Sequence, residues 1–429
     1  MAAIPILEES SASQSGPLIA GLAGWRGEGA PLEALPEEVR AEARPERRLA
    51  IYGASAGFEL VDELDFLAAR TIEPNLFFHP RFLAPAMPRL EDREVRLAVI
   101  RDGGENRSRL RLLVPFSVEK PAIPFGVPVL RTWANPFGPL GTPLVDSDDP
   151  AGVVEDFFAM LARPHLELPE VFVLPDVRLD GPFAKLLGEI SAARRLPLLT
   201  VGRVERPLLA SDAAPDDYLR NALRAHHFRE FRRLKRRLET GGAVEHVVLT
   251  DAEGVRLGTE AFLALEAKGW KGRARTAMAV DRFRAAFARE AINALAEKGM
   301  ARVHLLTLAG NPIAALIVFL ERGIAYTWKT AYDEAYAAFS PGTLLMIETT
   351  RTHLAGTDIH ETDSCAVPDH PVLSRLWSER MPIGTLVVGL QPGSDRTVAQ
   401  AAKQVRMLRE TRNAMRIWRN RVKSLLRRE

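Results

Sequence analysis

The sequence predicts an α/β protein with mixed sheets, built as two similar modules in tandem and followed by a basic helix. Three observations predict it. From residue 244 onward the patterns run strand, helix, helix, three strands, helix, strand. The three central strands are joined by the turns Ala309-Gly310-Asn311 and Glu321-Arg322-Gly323, too short for crossovers, so they must be antiparallel neighbours. The first half shows a blurrier version of the same order, although no residue-level repeat is visible.

A chain of 429 residues accommodates about two or three domains. Residues 1–46 are rich in Ala, Glu, Pro and Gly without periodic apolar spacing, and are expected to form a disordered leader. A strand at 49–52, a helix over 60–69 and a shorter one near 81–89 follow. Strand-like runs occupy 96–101, 109–119 and 129–134, the second alternating as Arg109-Leu110-Arg111-Leu112. The stretch 135–143, Asn-Pro-Phe-Gly-Pro-Leu-Gly-Thr-Pro, is an irregular loop. Helices at 152–161 and 183–193 flank a strand at 171–174, completing a first module over 47–204.

The second module, over 205–394, is entered from a strand at 198–209. One long basic helix is expected over 216–239, capped by Asp216 after Pro215 and stopped by Gly241-Gly242. A strand at 244–249, a helix at 255–267, a Gly-rich loop and a helix at 281–297 lead into the strands 301–308, 312–321 and 323–330. A helix at 341–354 and strands at 358–363 and 384–389 finish it. Residues 395–429 carry 11 Lys/Arg against 3 Asp/Glu. Val398, Ala401, Val405, Leu408, Met415, Trp418, Val422 and Leu425 form one apolar stripe on this cationic helix, which either packs back on the protein or lies on an anionic membrane surface.

Composition narrows the function classes. With 57 Lys and Arg against 55 Asp and Glu, the whole-chain charge gives no indication of DNA binding. The lone Cys365 excludes a disulfide framework within the chain and a cysteine-based metal cluster. Together with an acidic, Ser/Gly-rich start, it leads to the expectation of a cytoplasmic protein. The nine histidines form no metal-ligand spacing, and no dinucleotide or nucleotide-triphosphate glycine motif occurs, so no metal and no tightly bound cofactor is expected.

Four stretches have the residues for chemistry. In Glu266-Ala-Lys-Gly-Trp-Lys-Gly-Arg, two glycines free the backbone around Trp270 and Lys271, and Arg273 adds charge suited to phosphates or carboxylates; a solvated connection with an anchored Trp is the alternative. The run from Tyr326 to Thr343 passes from a strand to a helix start at Ser340-Pro341, where unpaired amides favour anions, although an ordinary helix cap reads identically. Asp363, Asp369 and His370 follow the next strand and suit acid–base work or a simple polar loop. On the basic helix, Arg220, Arg224, Arg229, Arg232, Arg233, Lys235, Arg236 and Arg237 oppose Leu219, Leu223, Phe231, Leu234 and Leu238, forming either a polyanion face or a solvated one.

These stretches, in this order, resemble the GNAT-fold acyltransferases of the CelD-like family associated with cellulose biosynthesis, related to the Fem-type aminoacyltransferases. The resemblance lies in FRRLKRRLE at 231–239, Glu266 with Gly269-Trp-Lys-Gly272, Tyr332-Asp-Glu-Ala-Tyr336, Ser340-Pro-Gly-Thr343 and Glu361-Thr-Asp363. It covers residues 205–390 by motif and 45–200 by element order alone. It implies two tandem GNAT-like domains, the first degenerate. It further implies direct transfer of an acyl group from acyl-CoA, acetyl-CoA included, to an amine or hydroxyl of a small-molecule or saccharide acceptor in polysaccharide or envelope metabolism. The co-substrate would be held by Thr330, Ser340, Gly342 and Thr343, and the acceptor by Trp270, Lys271 and Arg273. Asp363, Asp333 and Glu266, with His370 behind them, would supply the base or orienting carboxylate. The family's phosphate turn is matched here only by Gly342, and Pro341 removes an N–H. An aminoacyl-tRNA donor, or an inactive module acting in binding, therefore stand as alternatives.

Overall fold

The computed structural model describes residues 39–42, 44, 46–90, 94–103, 108–121, 126–223 and 225–426. The expected leader therefore lies almost wholly outside the described residues. The strands are β1 (Val39–Arg40), β2 (Arg47–Gly53), β3 (Arg96–Asp102), β4 (Arg109–Glu119), β5 (Val129–Thr132), β6 (Leu144–Val145), β7 (Val171–Arg178), β8 (Leu198–Leu209), β9 (Val244–Leu249), β10 (Ala301–Leu308), β11 (Asn311–Glu321), β12 (Ile324–Tyr332), β13 (Glu361–Asp363) and β14 (Glu379–Gly389). Two compact units divide the described chain. One holds residues up to Phe78, 94–204 and 382–426; the other holds 79–90 and 205–381.

In the first unit β1 to β5 form an antiparallel succession, β5 pairs parallel with β7, and β7 pairs antiparallel with the 383–389 part of β14. In the second unit β9 to β12 form an antiparallel succession, β12 pairs parallel with β13, and β13 pairs antiparallel with Leu208–Leu209 of β8. The strands of the two units thus repeat one mixed scheme, as the element order predicted. The hairpins owe their tightness to paired left-handed residues, with φ of 49° and 79° at Ala309-Gly310 and 50° and 80° at Arg322-Gly323. Positive φ at both central residues is the type I′ geometry, whose twist matches that of the flanking strands.

Each unit has its own core. Phe157, Phe158 and Phe172 centre the first, with Ile100 of β3 and Leu and Val from β4 and β7 around them. In the second, Leu316, Val318, Leu345, Met346 and Trp377 close one face of the sheet. On its other face helix Pro80–Leu90 sends Phe82 edge-on into Phe287, Phe319 and Trp328, at centroid distances of 5.3, 5.8 and 6.0 Å. The helix beginning at Asp395 runs to Leu426. Val398, Ala401 and Ala402 bury against Val129, Val171, Val173 and Val387 within the first unit, so this part of the stripe packs back on the protein. The side chains of Trp418, Val422 and Leu425 lie outside those described.

Several expectations are corrected. The long basic helix is two helices, Pro215–Ala222 and Ala225–Glu239, because Leu223 turns extended at φ −91°, ψ 130° and buries its side chain in the core. Asp216 caps neither; the cap position is Ala214, and Asp216 accepts from Arg351 at 3.1 Å. The Gly-rich loop contains a helical turn, Trp270–Arg273, and the strand expected over 358–363 is only Glu361–Asp363.

Candidate active site

The second unit's sheet has a built-in opening. The β12–β13 ladder pairs Ile324, Ala325 and Tyr326 with Glu361, Thr362 and Asp363 and then stops, whereas β12 continues to Tyr332. Beyond Tyr326 that edge of β12 has no ladder partner among the described residues, so Thr330, Ala331 and Tyr332 wall an open cleft. Gly342, Thr343 and Met346, from the start of helix Pro341–Ala355, form a second wall. Leu265, Glu266, Gly269, Trp270 and Lys271 form the third, with Glu334 and Val372 at the margins.

The third wall is held rigidly. Lys271 Nζ lies 2.8 Å from Glu266 Oε1, both side chains buried, and Glu266 Oε2 accepts the Met278 N–H at 2.7 Å. One carboxylate thus closes the segment 266–278 on itself. Gly272 permits this, since a Cβ there would stand 1.7 Å from the Ala267 carbonyl oxygen. A second set of bonds fastens the segment to the end of β12. Glu334 accepts the Trp270 N–H at 2.7 Å and pairs with Arg273, and Lys268 pairs with Asp333 at 2.6 Å. Burial raises the Asp333 carboxyl, but Lys268 and the Ala335 N–H outweigh it and leave Asp333 below the usual carboxylate range. Burial, reinforced by Glu334, raises the Tyr332 phenol and keeps it protonated at neutral pH.

The helix start is poorer in donors than its position suggests. Ser340 sits at φ 53° and donates its N–H to Ala337, Pro341 has none, and the Thr343 N–H bonds to Ser340 O at 3.0 Å. Gly342 is left as the amide of that turn outside these bonds among the described residues. The buried Oγ1 of Thr330, across the cleft, has no hydrogen-bond partner among the described residues.

The structure therefore brings together Glu266, Trp270, Lys271, Thr330, Gly342 and Thr343 of the residues singled out from the sequence. Ser340 holds the N-cap position of the adjoining helix without a side-chain capping bond, and Arg273 sits exposed beside the cleft on Glu334. Asp333 caps the turn that follows β12. Asp363 is buried outside the lining, its Oδ2 3.0 Å from Arg206 and its Oδ1 accepting the Cys365 N–H at 2.7 Å. Buried His370 accepts the Leu373 N–H at 3.1 Å and so fixes the turn that presents Val372. Tyr332, Glu334, Met346 and Val372 were not selected as site residues. Glu334 was signalled only by lying within Tyr332-Asp-Glu-Ala-Tyr336, and nothing in the sequence marks Met346 or Val372. Among the described residues no group of three or more His, Cys, Asp or Glu is placed to hold a metal ion.

A meander, a helix and a parallel strand that parts from its neighbour over a cleft define the fold of the GNAT acyltransferases. Residues 225–366 match the family model described as an acetyltransferase (GNAT) domain. Two solved structures share the fold at 12% identity. One is the C-terminal domain of a protein assigned as a lysylphosphatidylglycerol synthetase from Agrobacterium fabrum, with a TM-score of 0.50 over 81% of this chain and 96% of that one. The other is FemX, with a TM-score of 0.50 over 76% of this chain and 95% of that one. No curated protein matches the sequence. Family match and fold together support an acyltransferase.

Proposed function

We propose that this protein transfers an acyl group directly from acyl-CoA, acetyl-CoA being the simplest case, to an amine or hydroxyl acceptor. The observation that carries the reading is the unpaired edge of β12 at Thr330–Tyr332, facing Gly342 and Thr343 across one cleft within the matched domain. An unpaired strand edge offers N–H and C=O groups to an extended amide-bearing arm, much as a further strand would. Attack by the acceptor nitrogen or oxygen on the acyl carbonyl forms the new bond and releases the thiolate. The acceptor's proton must leave and the thiolate must gain one. Tyr332, kept protonated, is the donor to the thiolate, and Glu266 and Glu334 are the carboxylates that line the cleft. Trp270 offers an apolar face for a saccharide acceptor, in keeping with the CelD-like resemblance and a cytoplasmic setting. Asp333, Asp363 and His370 act as positioning residues.

Calorimetric titration with acetyl-CoA tests this. Saturable binding is expected, and Gly342→Phe is expected to abolish it by filling the cleft, since a Cβ at 342 already stands 3.5 Å from the Tyr332 ring. Absence of saturable binding to the wild-type protein rejects the reading.

A further inference from the structure

The arginine-rich helix Ala225–Glu239 is not merely solvated. Its Phe228 and Phe231 pack into the same core as Tyr336 and Phe339, and Lys235 pairs with Glu348 on the helix that walls the cleft. The guanidinium of Arg237 lies 5.5 Å from the centroid of the Phe339 ring, three residues before the cleft-lining Gly342. On the outer side Arg229, Arg232, Arg233, Arg236 and Arg237 are all exposed. At spacings of three, four, seven and eight residues they share one face, about 12 Å long. Arg233 is neutralised by Glu230 at 2.7 Å. Arg232, Arg236 and Arg237 make no close ion pair with a carboxylate among the described residues, although Glu230 also feels the charge of Arg237.

Two facts about this unit now fit together. The amides at the Pro341 helix start, where a phosphate would ordinarily be taken, are largely engaged within the protein. Arg237 stands over Phe339 beside that start, at one end of an exposed arginine face that also carries Arg232 and Arg236. Among the described residues no large apolar side chain is exposed along the arginine helix, so the face lacks what insertion into a bilayer interface requires. Guanidinium forks are well matched to phosphate oxygens.

We propose that Arg232, Arg236 and Arg237 form the phosphate-binding surface for the acyl donor, taking over a task that the helix start at Pro341 no longer performs. The inference rests on the acyltransferase reading for the donor's position, and commits to phosphate groups of a nucleotide-bearing donor as the ligand. The phosphates come either from CoA or from the backbone of a charged RNA.

The test uses full-length protein and three probes, CoA, pantetheine and unacylated tRNA, titrated against the wild type, R232Q/R236Q and R232Q/R236Q/R237Q. The double variant leaves the contact of Arg237 with Phe339 in place, and unchanged thermal unfolding shows that each variant folds. If CoA weakens at least tenfold in the triple variant, and several-fold in the double, while pantetheine binding is unchanged, the surface is confirmed. If tRNA binds instead, with the same loss and a shallower salt dependence in the variants, the surface is confirmed and the acyl-CoA reading fails. Equal CoA affinity in all three proteins overturns the surface and leaves the acyl-CoA reading intact. Failure of both CoA and tRNA to bind the wild type overturns both.

Discussion

At the scale of single residues, the Glu266–Lys271 pair shows how a sequence feature takes on a different task in the folded chain. Both groups read as site chemistry, yet each is buried and engaged by the other. Removing one partner leaves a buried charge uncompensated, a loss of about 3–5 kcal/mol, whereas replacing both with apolar residues is much less harmful. Lys271→Met is therefore expected to lower the urea midpoint sharply, and Lys271→Met with Glu266→Leu to recover part of it. Histidines supply a second residue-scale prediction. His246 Nε2 lies 3.1 Å from His304 Nδ1, and His353 Nδ1 lies 2.9 Å from Thr362 Oγ1, with His304 and His353 buried in the second unit. Burial, then Arg302, lowers His353 to about 4, and burial with the neighbouring imidazoles holds His304 well below its usual value. Both pKa values fall below those of the unfolded chain, so the unfolded state binds more protons as pH drops. Stability is then full above about pH 6.5 and is lost toward pH 4, at up to about 1.4 kcal/mol per pH unit for each group. Urea midpoints measured from pH 7.5 to 4.5 check this, and His353→Leu is expected to flatten the slope.

At the scale of elements, helix Pro80–Leu90 completes the second unit. Phe82→Ala would empty the centre of an aromatic set with Phe287, Phe319 and Trp328, costing about 3–5 kcal/mol. Equilibrium denaturation followed by tryptophan fluorescence reads this out. What was legible in the sequence was legible at this scale. Alternating runs and short turns placed β10, β11 and β12, since their two-residue hairpins leave no other pairing. The break at Leu223 was not legible, because an apolar residue at helical spacing looks identical whether the chain continues as a helix or turns to bury it. The site was legible in part, where unusual residues cluster, as at Trp270–Lys271 and Gly342–Thr343. Met346 and Val372 reach the cleft through tertiary packing, which leaves no mark on local composition. Asp363 looked like a poised carboxylate because its partner Arg206 lies far away in the chain.

At the scale of the whole molecule, the helix Asp395–Leu426 covers the valines of β5, β7 and β14. A chain ending at Gln391 would leave them open to water. Its thermal midpoint is expected to fall by several degrees, and light scattering should register self-association. The assembly of the first unit's sheet has a further consequence. Its last strand is supplied by residues 383–389, 205 positions after its partner β7 ends at Arg178. A ribosome must therefore deliver the whole segment 205–381 before this half can shut, so the usual order of maturation, front end first, is closed to it. During translation the unfinished edge stays exposed, and nascent chains of this protein should lean on chaperones until residues 383–389 emerge.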